Sequence, residues 1–103
     1  EEAGPFKMLR YKKIRIGKKY IEALCLNLQS KNLILIKGRH GYIMCGYLNM
    51  KAAQKFKDAA VKITGISSIE EALKASVHSC TASARKLGIS KGQPIKEVLK
   101  IIA

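Results

Sequence analysis

The sequence lacks the short motifs by which metal proteins and many enzymes are recognised. Its three cysteines, Cys25, Cys45 and Cys80, are odd in number and widely spaced, with no Cys-x-x-Cys pair. Neither a zinc site nor a thioredoxin-type redox pair is therefore predicted. No glycine-rich segment has the spacing of a phosphate-binding loop. We expect no metal and no cofactor.

Long apolar runs are also missing. No segment approaches the roughly 18 apolar residues that a membrane-spanning helix requires, so no membrane partner is predicted. The start of the sequence does not resemble a secretory signal. Widely spaced, unpaired thiols are typical of a reducing compartment. These features together predict a cytoplasmic protein.

Acidic residues are scarce. The chain has 20 Lys and Arg against 7 Asp and Glu, a formal net charge of +13. Between Ala3 and Lys57 there are 13 basic residues, and Glu22 is the one acid. Such a basic half can bind nucleic acid or another polyanion weakly and without sequence preference. It can also serve only to keep a small apolar protein soluble, and both interpretations stay open.

Aromatic residues are few, at 6%, although 48% of the 103 residues are hydrophobic. A chain of this length forms one domain with a modest core, so part of the apolar content is available for contacts between subunits. We expect a flexible tail at residues 1–7 and a single domain at residues 8–103. Within it, residues 8–48 would form the sheet and oligomerisation region, and residues 49–103 the helical region.

The first half has the pattern of short strands joined by polar turns. Apolar segments at 8–16, 20–28, 33–36 and 42–48 alternate with turn-forming residues, which favours antiparallel pairing of consecutive strands. The predicted fold class is α+β. An N-terminal antiparallel four-stranded β-meander would carry three to four C-terminal helices packed on one face.

The segment 20–28 is apolar on both sides. Leu24, Leu26 and Leu28 alternate with Ile21, Ala23 and Cys25, and alternate residues of a strand point to opposite faces. Helices of the same chain can cover only one face of a small sheet. We therefore expect a homo-oligomer in which a partner subunit covers the other face.

The second half has helical spacing. Asn49 is a favourable N-cap for a helix with a stripe at Ala52, Phe56, Ala59, Ala60 and Ile63, although residues 61–64 could instead form a short strand. Ser67 and Ser68 precede Glu70 and Glu71 by three residues, which gives two overlapping capping boxes and a short helix to Ala75.

Two more helices are predicted towards the end. One starts at Ser76 and would bury Val77, Cys80, Thr81, Ala84 and Leu87. It would end at Gly88 as a left-handed C-cap, with Ile89 as the hydrophobic contact. The last starts at Pro94 and would bury Ile95, Val98, Leu99 and Ile102.

Residues 39–49 are the most distinctive segment, because a histidine, two glycines and a cysteine interrupt an otherwise apolar strand pattern. Glycine at such positions permits a turn, a bulge or the close approach of a ligand or a neighbouring subunit. The candidate ligand-binding residues are Arg39, Gly41, Tyr42, Gly46 and Asn49.

Cys45 and His40 are the candidate catalytic residues. Cys45 precedes Asn49 by four residues, and the start of a helix, Arg39 or His40 could help to form a reactive thiolate. Cys45 would then be partly exposed, with Cys25 and Cys80 in the core. The alternative is that Cys45 is an inert packing residue and His40 a turn residue.

The run His40-Gly41-Tyr42-Ile43-Met44-Cys45-Gly46, followed by a leucine and a helix cap, resembles the signature of the YunC-like family, which is prokaryotic and of unknown function. The resemblance extends over residues 20–103, through the short helix at 68–75 and the segment Arg85-Lys86-Leu87-Gly88-Ile89. It implies a tetramer formed through the N-terminal sheet. In that family an acidic residue often stands at the position of Asn49, so a role that needs a carboxylate is not implied here.

The sequence thus favours a small cytoplasmic oligomeric protein, a homotetramer, that binds a ligand or acts as an accessory protein. Two alternatives remain. One is an enzyme that uses Cys45 and His40, and the other is a weak, non-specific binder of nucleic acid or another polyanion.

Overall fold

The structure is a computed structural model that describes residues 9–103. The predicted tail at 1–7 and the predicted domain start at residue 8 lie outside the described residues. The described chain has six strands and four helices, in the order β1 (Leu9–Ile16), β2 (Lys19–Asn27), β3 (Asn32–Lys37), β4 (Tyr42–Met44), α1 (Met50–Lys55), β5 (Ala60–Lys62), α2 (Ile69–Leu73), β6 (Ser79–Cys80), α3 (Ala82–Lys86) and α4 (Ile95–Ile102).

The strands form one sheet in sequential order from β1 to β6. The first four strands pair antiparallel. β5 then pairs with β4 in parallel, and β6 pairs antiparallel with β5. The α+β class is confirmed, but the predicted four-stranded sheet is wrong in extent, because the second half of the chain adds two strands.

The first added strand is β5. It can form because α1 ends at Lys55 and does not extend along the whole predicted apolar stripe. Lys57 adopts a left-handed conformation with φ of 59°, and the Asp58 N–H donates to the Ala53 carbonyl (2.9 Å). The chain reverses there and enters β5, as the alternative of a strand near residues 61–64 anticipated. Phe56 is consequently not buried in a stripe but 70% exposed.

The second added strand is β6, which takes the place of the beginning of the helix predicted from Ser76. The His78 N–H donates to the Lys62 carbonyl (2.9 Å), and the Thr81 N–H donates to the Ala60 carbonyl (3.0 Å). These bonds hold the chain against β5 as β6, so α3 begins only after Thr81. Leu87, predicted as a core residue, is 42% exposed.

The predicted arrangement of all helices on one face also needs correction. The main core packs one face of the sheet against α2, α3 and α4, and its members include Ile21, Ile34, Ile43, Val61, Ala84, Val98 and Ile102. A separate small core contains Leu48, Ala53 and Ala60. Because Ala60 and Val61 are consecutive in β5 and point to opposite faces, α1 packs on the other face.

Two further rows of that other face are apolar, and no helix of residues 9–103 lies over them. The strand registers place Leu9, Leu26 and Leu33 in one row across the sheet, and Tyr11, Leu24 and Leu35 in the next. Leu9 and Tyr11 are more than half exposed, and the four leucines of β2 and β3 are half-buried. We call these six residues the open face.

Candidate functional site

The amino-terminal end of β4 is built for close packing against the end of α4. The His40 N–H donates to the Ile102 carbonyl (2.8 Å). A Cβ atom at Gly38 would collide with the same carbonyl oxygen, and one at Gly41 would lie 2.6 Å from the Ala59 carbonyl oxygen. Gly41 therefore serves a backbone contact within the chain. Arg39 and the His40 side chain are exposed.

Tyr42 begins β4 and is tied to the loop before β5. Its hydroxyl donates to Asp58 Oδ2 (2.9 Å). Burial, together with this hydrogen bond and the negative charge of Asp58, raises the pKa of Tyr42 to about 12. The Asp58 carbonyl in turn accepts from Thr81 Oγ1 (2.6 Å). Tyr42 thus links β4, β5 and the start of α3.

Cys45 lies just beyond the carboxyl end of β4 and is 5% exposed. The Ile34 N–H donates to its sulfur (3.4 Å), and the thiol points towards the Asn32 carbonyl (3.9 Å). Burial at this level does not match the partial exposure that a reactive Cys45 requires. Cys25 and Cys80 are each 8% exposed, so burial does not distinguish the three thiols.

His40 and Cys45 are not brought together. Cys45 lies beside Ile34, near the start of β3, whereas His40 lies in the turn that follows Lys37 at the end of β3. Their backbones are separated by five residues of mostly extended chain, on the order of 15 Å. A nucleophile and its base must come within hydrogen-bond distance, and this geometry does not provide that within one chain.

Cys25 and Cys45 lie on opposite sides of Ile34 on the same face of the sheet. They are two strand spacings apart, about 10 Å, which exceeds the Cα separation of a disulfide. Burial raises the pKa of the Cys25 thiol; nearby Arg10 opposes this rise, and Glu70 and Cys45 add to it. An internal Cys25–Cys45 disulfide is therefore excluded without movement of the strands.

A groove opens at the carboxyl end of β4. β4 and β5 are parallel, so the residues that follow them, 45–47 and 64–67, meet at the same edge of the sheet, beside residues 30–32 at the start of β3. These three segments line a groove of about 820 Å³. Ligands of open sheets commonly bind outside the carboxyl ends of parallel strands.

The groove combines a positive charge with exposed polar and aromatic groups. Lys31 contributes a cation, Tyr47 a ring that is 47% exposed, and Thr64 an exposed hydroxyl. Among residues 9–103, the lining contains no acidic residue. A Cβ atom at Gly46 would meet nothing within 4 Å, so this glycine leaves the groove open.

Two of the predicted ligand-binding residues have structural roles that the geometry makes clear. Asn49 is the N-cap of α1, and its Oδ1 accepts from the Ala52 N–H (3.0 Å). Gly41 permits backbone contact, as described above. Of the predicted site residues, Cys45 and Gly46 line the groove.

Sequence reasoning did not select the other groove residues, Lys31, Thr64, Gly65 and Ser67 among them. They belong to polar turns between elements, which look alike in sequence. The signal that could have found them is the β-branched segment 61–64, because a parallel strand there places residues 64–67 next to Gly46.

Within residues 9–103, no group of three or more His, Cys, Asp or Glu side chains is placed to hold a metal ion. Over the same residues, no helix has the length and apolarity needed to cross a bilayer.

The architecture defines a small α+β protein with a mixed six-stranded sheet. A family model described as a domain of unknown function, DUF1805, matches residues 44–102. The uncharacterised protein YunC of Bacillus subtilis (strain 168) is 32% identical over 81 residues, which covers 75% of this chain and 80% of YunC.

A crystal structure of a protein of unknown function, TA1206 from Thermoplasma acidophilum, superimposes with a TM-score of 0.89 at 34% identity. The superposition covers 93% of this chain and 94% of the TA1206 chain. The chain therefore belongs to the DUF1805 family, as its resemblance to YunC-like proteins predicted. The function of this family is not known.

Proposed function

We propose that this protein binds a small anionic molecule in the groove at the carboxyl ends of β4 and β5. The observation that carries the proposal is the meeting of Cys45, Gly46 and Tyr47 with Thr64 and Gly65 around an open space of about 820 Å³. Lys31 supplies the charge for an anion, and Tyr47 offers a face to a planar group.

Phenyl phosphate combines both features and is the first probe. Backbone amides can be followed by heteronuclear NMR, and the amides of residues 45–47 and 64–66 should shift together during the titration. Phenol and inorganic phosphate, which each carry half of the probe, should bind at least five-fold more weakly. Shifts confined to other surfaces would contradict the proposal.

Gly46→Val is the matched test of the site. Gly46 has no positive φ and open space around its Cβ position, so the variant should fold with a Tm near that of the parent while its side chain fills the groove. We expect at least a ten-fold loss of affinity for phenyl phosphate. If Gly46→Val binds phenyl phosphate as tightly as the parent does, the binding site is not this groove.

We also propose that the protein functions as a homo-oligomer, with the tetramer implied by its family resemblance, and that the open face is buried by a second copy. An apolar surface of this kind is uncommon on a monomer. The next row of the sheet holds Lys13, Glu22 and Lys37. A two-fold contact can therefore set the single acid of one copy against a lysine of the other.

Light scattering on a sizing column tests this assembly. The parent should elute at a multiple of its 11.4 kDa chain mass, and Leu26→Glu or Leu35→Lys should shift it to a single chain, because a charge in the contact would be buried without a partner. Leu87→Glu is the control and should leave the mass unchanged, because Leu87 is an exposed apolar residue at the end of α3, which packs on the opposite side of the sheet. A monomeric parent at micromolar concentration would exclude the oligomer.

A second candidate function is weak polyanion binding, and the end of α1 favours it. Phe56 is 70% exposed between Lys55 and Lys57. The Ser83 hydroxyl donates to the Lys57 carbonyl (3.0 Å), and the Ala82 N–H donates to Gln54 Oε1 (2.8 Å). These bonds fix the segment against α3, so an exposed ring stands among cations on a rigid surface, as in sites where bases stack on aromatic residues.

Fluorescence anisotropy with a labelled 20-nucleotide oligo-dT at about 50 mM salt measures this binding, because counterion release makes it strongest at low salt. Phe56→Ala should weaken it by five-fold or more. Lys55→Gln should weaken it more than Lys96→Gln, which removes the same charge from α4. Equal effects of the two lysine variants would assign the binding to net charge alone.

A further inference from the structure

A second groove adjoins the first. It has a volume of about 580 Å³ and lies over β1 and β2, beside the start of α2. Asn32 and Ser67 line both grooves, so the two spaces meet at this pair of residues. The combined cleft runs from β1 to the loop after β5.

The junction is fixed by hydrogen bonds within the protein. Asn32 Nδ2 donates to the Ser67 carbonyl (2.8 Å), and Asn32 Oδ1 accepts from Asn27 Nδ2 (2.9 Å). The Ser67 hydroxyl is paired with Glu71 Oε1 (3.1 Å). The two residues that line both grooves, Asn32 and Ser67, are themselves uncharged, and the Glu71 carboxylate is bound to Ser67 at this junction. An uncharged part of a ligand suits this floor, because an anionic part would be repelled by Glu71.

The cationic groups lie towards the two ends. Arg10 and Lys12 line the far end of the second groove, with Glu70 as its acid, and Lys31 lines the first groove. Among residues 9–103, the lining of the cleft thus holds three cations and one acid, Glu70, and Glu71 contacts the junction from outside the lining. The register places Arg10 opposite Ile34 across β2, and Lys31 lies three residues before Ile34. The two cationic positions are therefore two strand spacings apart across the sheet and about three residues apart along it, roughly 14 Å at the backbone.

We propose that the two grooves form one cleft for an elongated ligand with an anionic group at each end, of the bisphosphate or diacid class. One end would bind near Lys31 and the other near Arg10 and Lys12, with an uncharged middle over the floor at Asn32. This inference rests on the proposed function, because it extends the ligand from the groove at Gly46. Once one end of the ligand is bound, the other end is tethered near its own site, which raises the affinity. Its effective concentration there is highest when the length of the ligand matches the distance between the two sites.

A series of α,ω-alkanediol bisphosphates with two to twelve carbons tests the cleft, with inorganic phosphate as the reference. Calorimetry should give an affinity that rises with chain length, passes through a maximum and exceeds that of inorganic phosphate at least ten-fold there. The amides of residues 10–12 and 45–47 should shift together only for the longer members.

Arg10→Gln and Lys31→Gln should each remove most of that ten-fold advantage. Lys91→Gln, which removes an exposed cation from the loop before α4, is the matched control and should have no effect. An affinity that does not depend on length, or that Arg10→Gln leaves unchanged, would overturn the single cleft.

The two proposals fail in different ways. If phenyl phosphate shifts residues 45–47 and 64–66 but no bisphosphate exceeds inorganic phosphate, the first groove is a site on its own and only the extended ligand is wrong. If neither probe shifts these amides, the proposed function fails, and the extended ligand fails with it.

Discussion

The two ends of β4 carry the two glycines of one seven-residue segment, and they have opposite surroundings. At Gly41 an added Cβ would meet the Ala59 carbonyl oxygen at 2.6 Å, whereas at Gly46 it would meet nothing within 4 Å. The first glycine lets three parts of the chain touch, and the second leaves a groove empty. Two glycines that flank the same strand thus have different roles: Gly41 allows close packing of the chain, and Gly46 keeps the groove open.

Among the variants that test this comparison, Gly41→Ala should cause the largest loss of stability. The new methyl group needs backbone movement in the segment before β5, and overpacking of this kind costs about 1–3 kcal/mol. Each kcal/mol lowers the Tm of a domain of this size by roughly 4–8 °C, which calorimetry resolves. Gly46→Ala is the matched control and should change stability by less than about 0.5 kcal/mol. Equal losses at both glycines would remove the distinction between the two ends.

Tyr42→Phe tests the bond that anchors the packed end. Loss of the hydrogen bond to Asp58 should cost about 1 kcal/mol near neutral pH. The pKa of Tyr42 is raised to about 12 in the folded protein, against about 10 in the unfolded chain. The unfolded state therefore loses this proton first, and the contribution is complete below pH 10 and disappears as the pH rises through 12.

Denaturant unfolding of both proteins between pH 8 and 12 gives the measurement. Other groups titrate in this range, so the informative quantity is the difference between parent and Tyr42→Phe, which should shrink as the pH rises. A constant difference would show that the hydroxyl is not held by Asp58.

Asn49→Ala tests the carboxyl end of β4, on the side of the groove, where Asn49 caps α1. Loss of the bond to the Ala52 N–H should cost about 1 kcal/mol. Asn49→Asp, which retains the cap and adds a negative charge at the start of the helix, should match or slightly exceed the parent in stability. Retained affinity for phenyl phosphate in Asn49→Ala would show that Asn49 acts as a cap, and a large loss would make it a binding residue.

The smallest effect is expected from thiol labelling of the native protein. All three cysteines are at most 8% exposed, so reaction with iodoacetamide near neutral pH should be slow at each and limited by opening of the structure. Peptide mapping by mass spectrometry separates the three sites. Much faster labelling of Cys45 would contradict its burial and would restore the interpretation that it is a reactive thiol.

Local rules predicted much of the chain. Gly88 has φ of 101°, the Ile89 N–H donates to the Ala84 carbonyl (3.2 Å), and Ile89 is buried. This is the C-cap expected from the basic helix end Arg85-Lys86 followed by glycine. The core face of α4 and the two-sided apolar pattern of β2 were also predicted correctly. In each case, neighbours in sequence determine the structure.

The misassigned elements depend on partners that are distant in sequence. Val77, Cys80 and Ala84 have helical spacing, yet hydrogen bonds from His78 and Thr81 to β5 hold the first part of this segment as a strand. The groove was missed for the same reason. Residues 64–67 join the other two lining segments only once β5 pairs in parallel with β4. The pattern at 61–64 indicates a possible strand, but it does not specify the strand with which it pairs.

The position of β1 in the sheet gives the basic charge a further consequence. β1 is an eight-residue edge strand of the described sheet, and its free side could pair with a strand of another chain. Arg10, Lys12, Lys13 and Arg15 lie along it. Charged side chains, lysine above all, protect natural edge strands from such pairing. Part of the positive charge therefore acts against aggregation, and neutralising β1 should endanger solubility before it affects the fold.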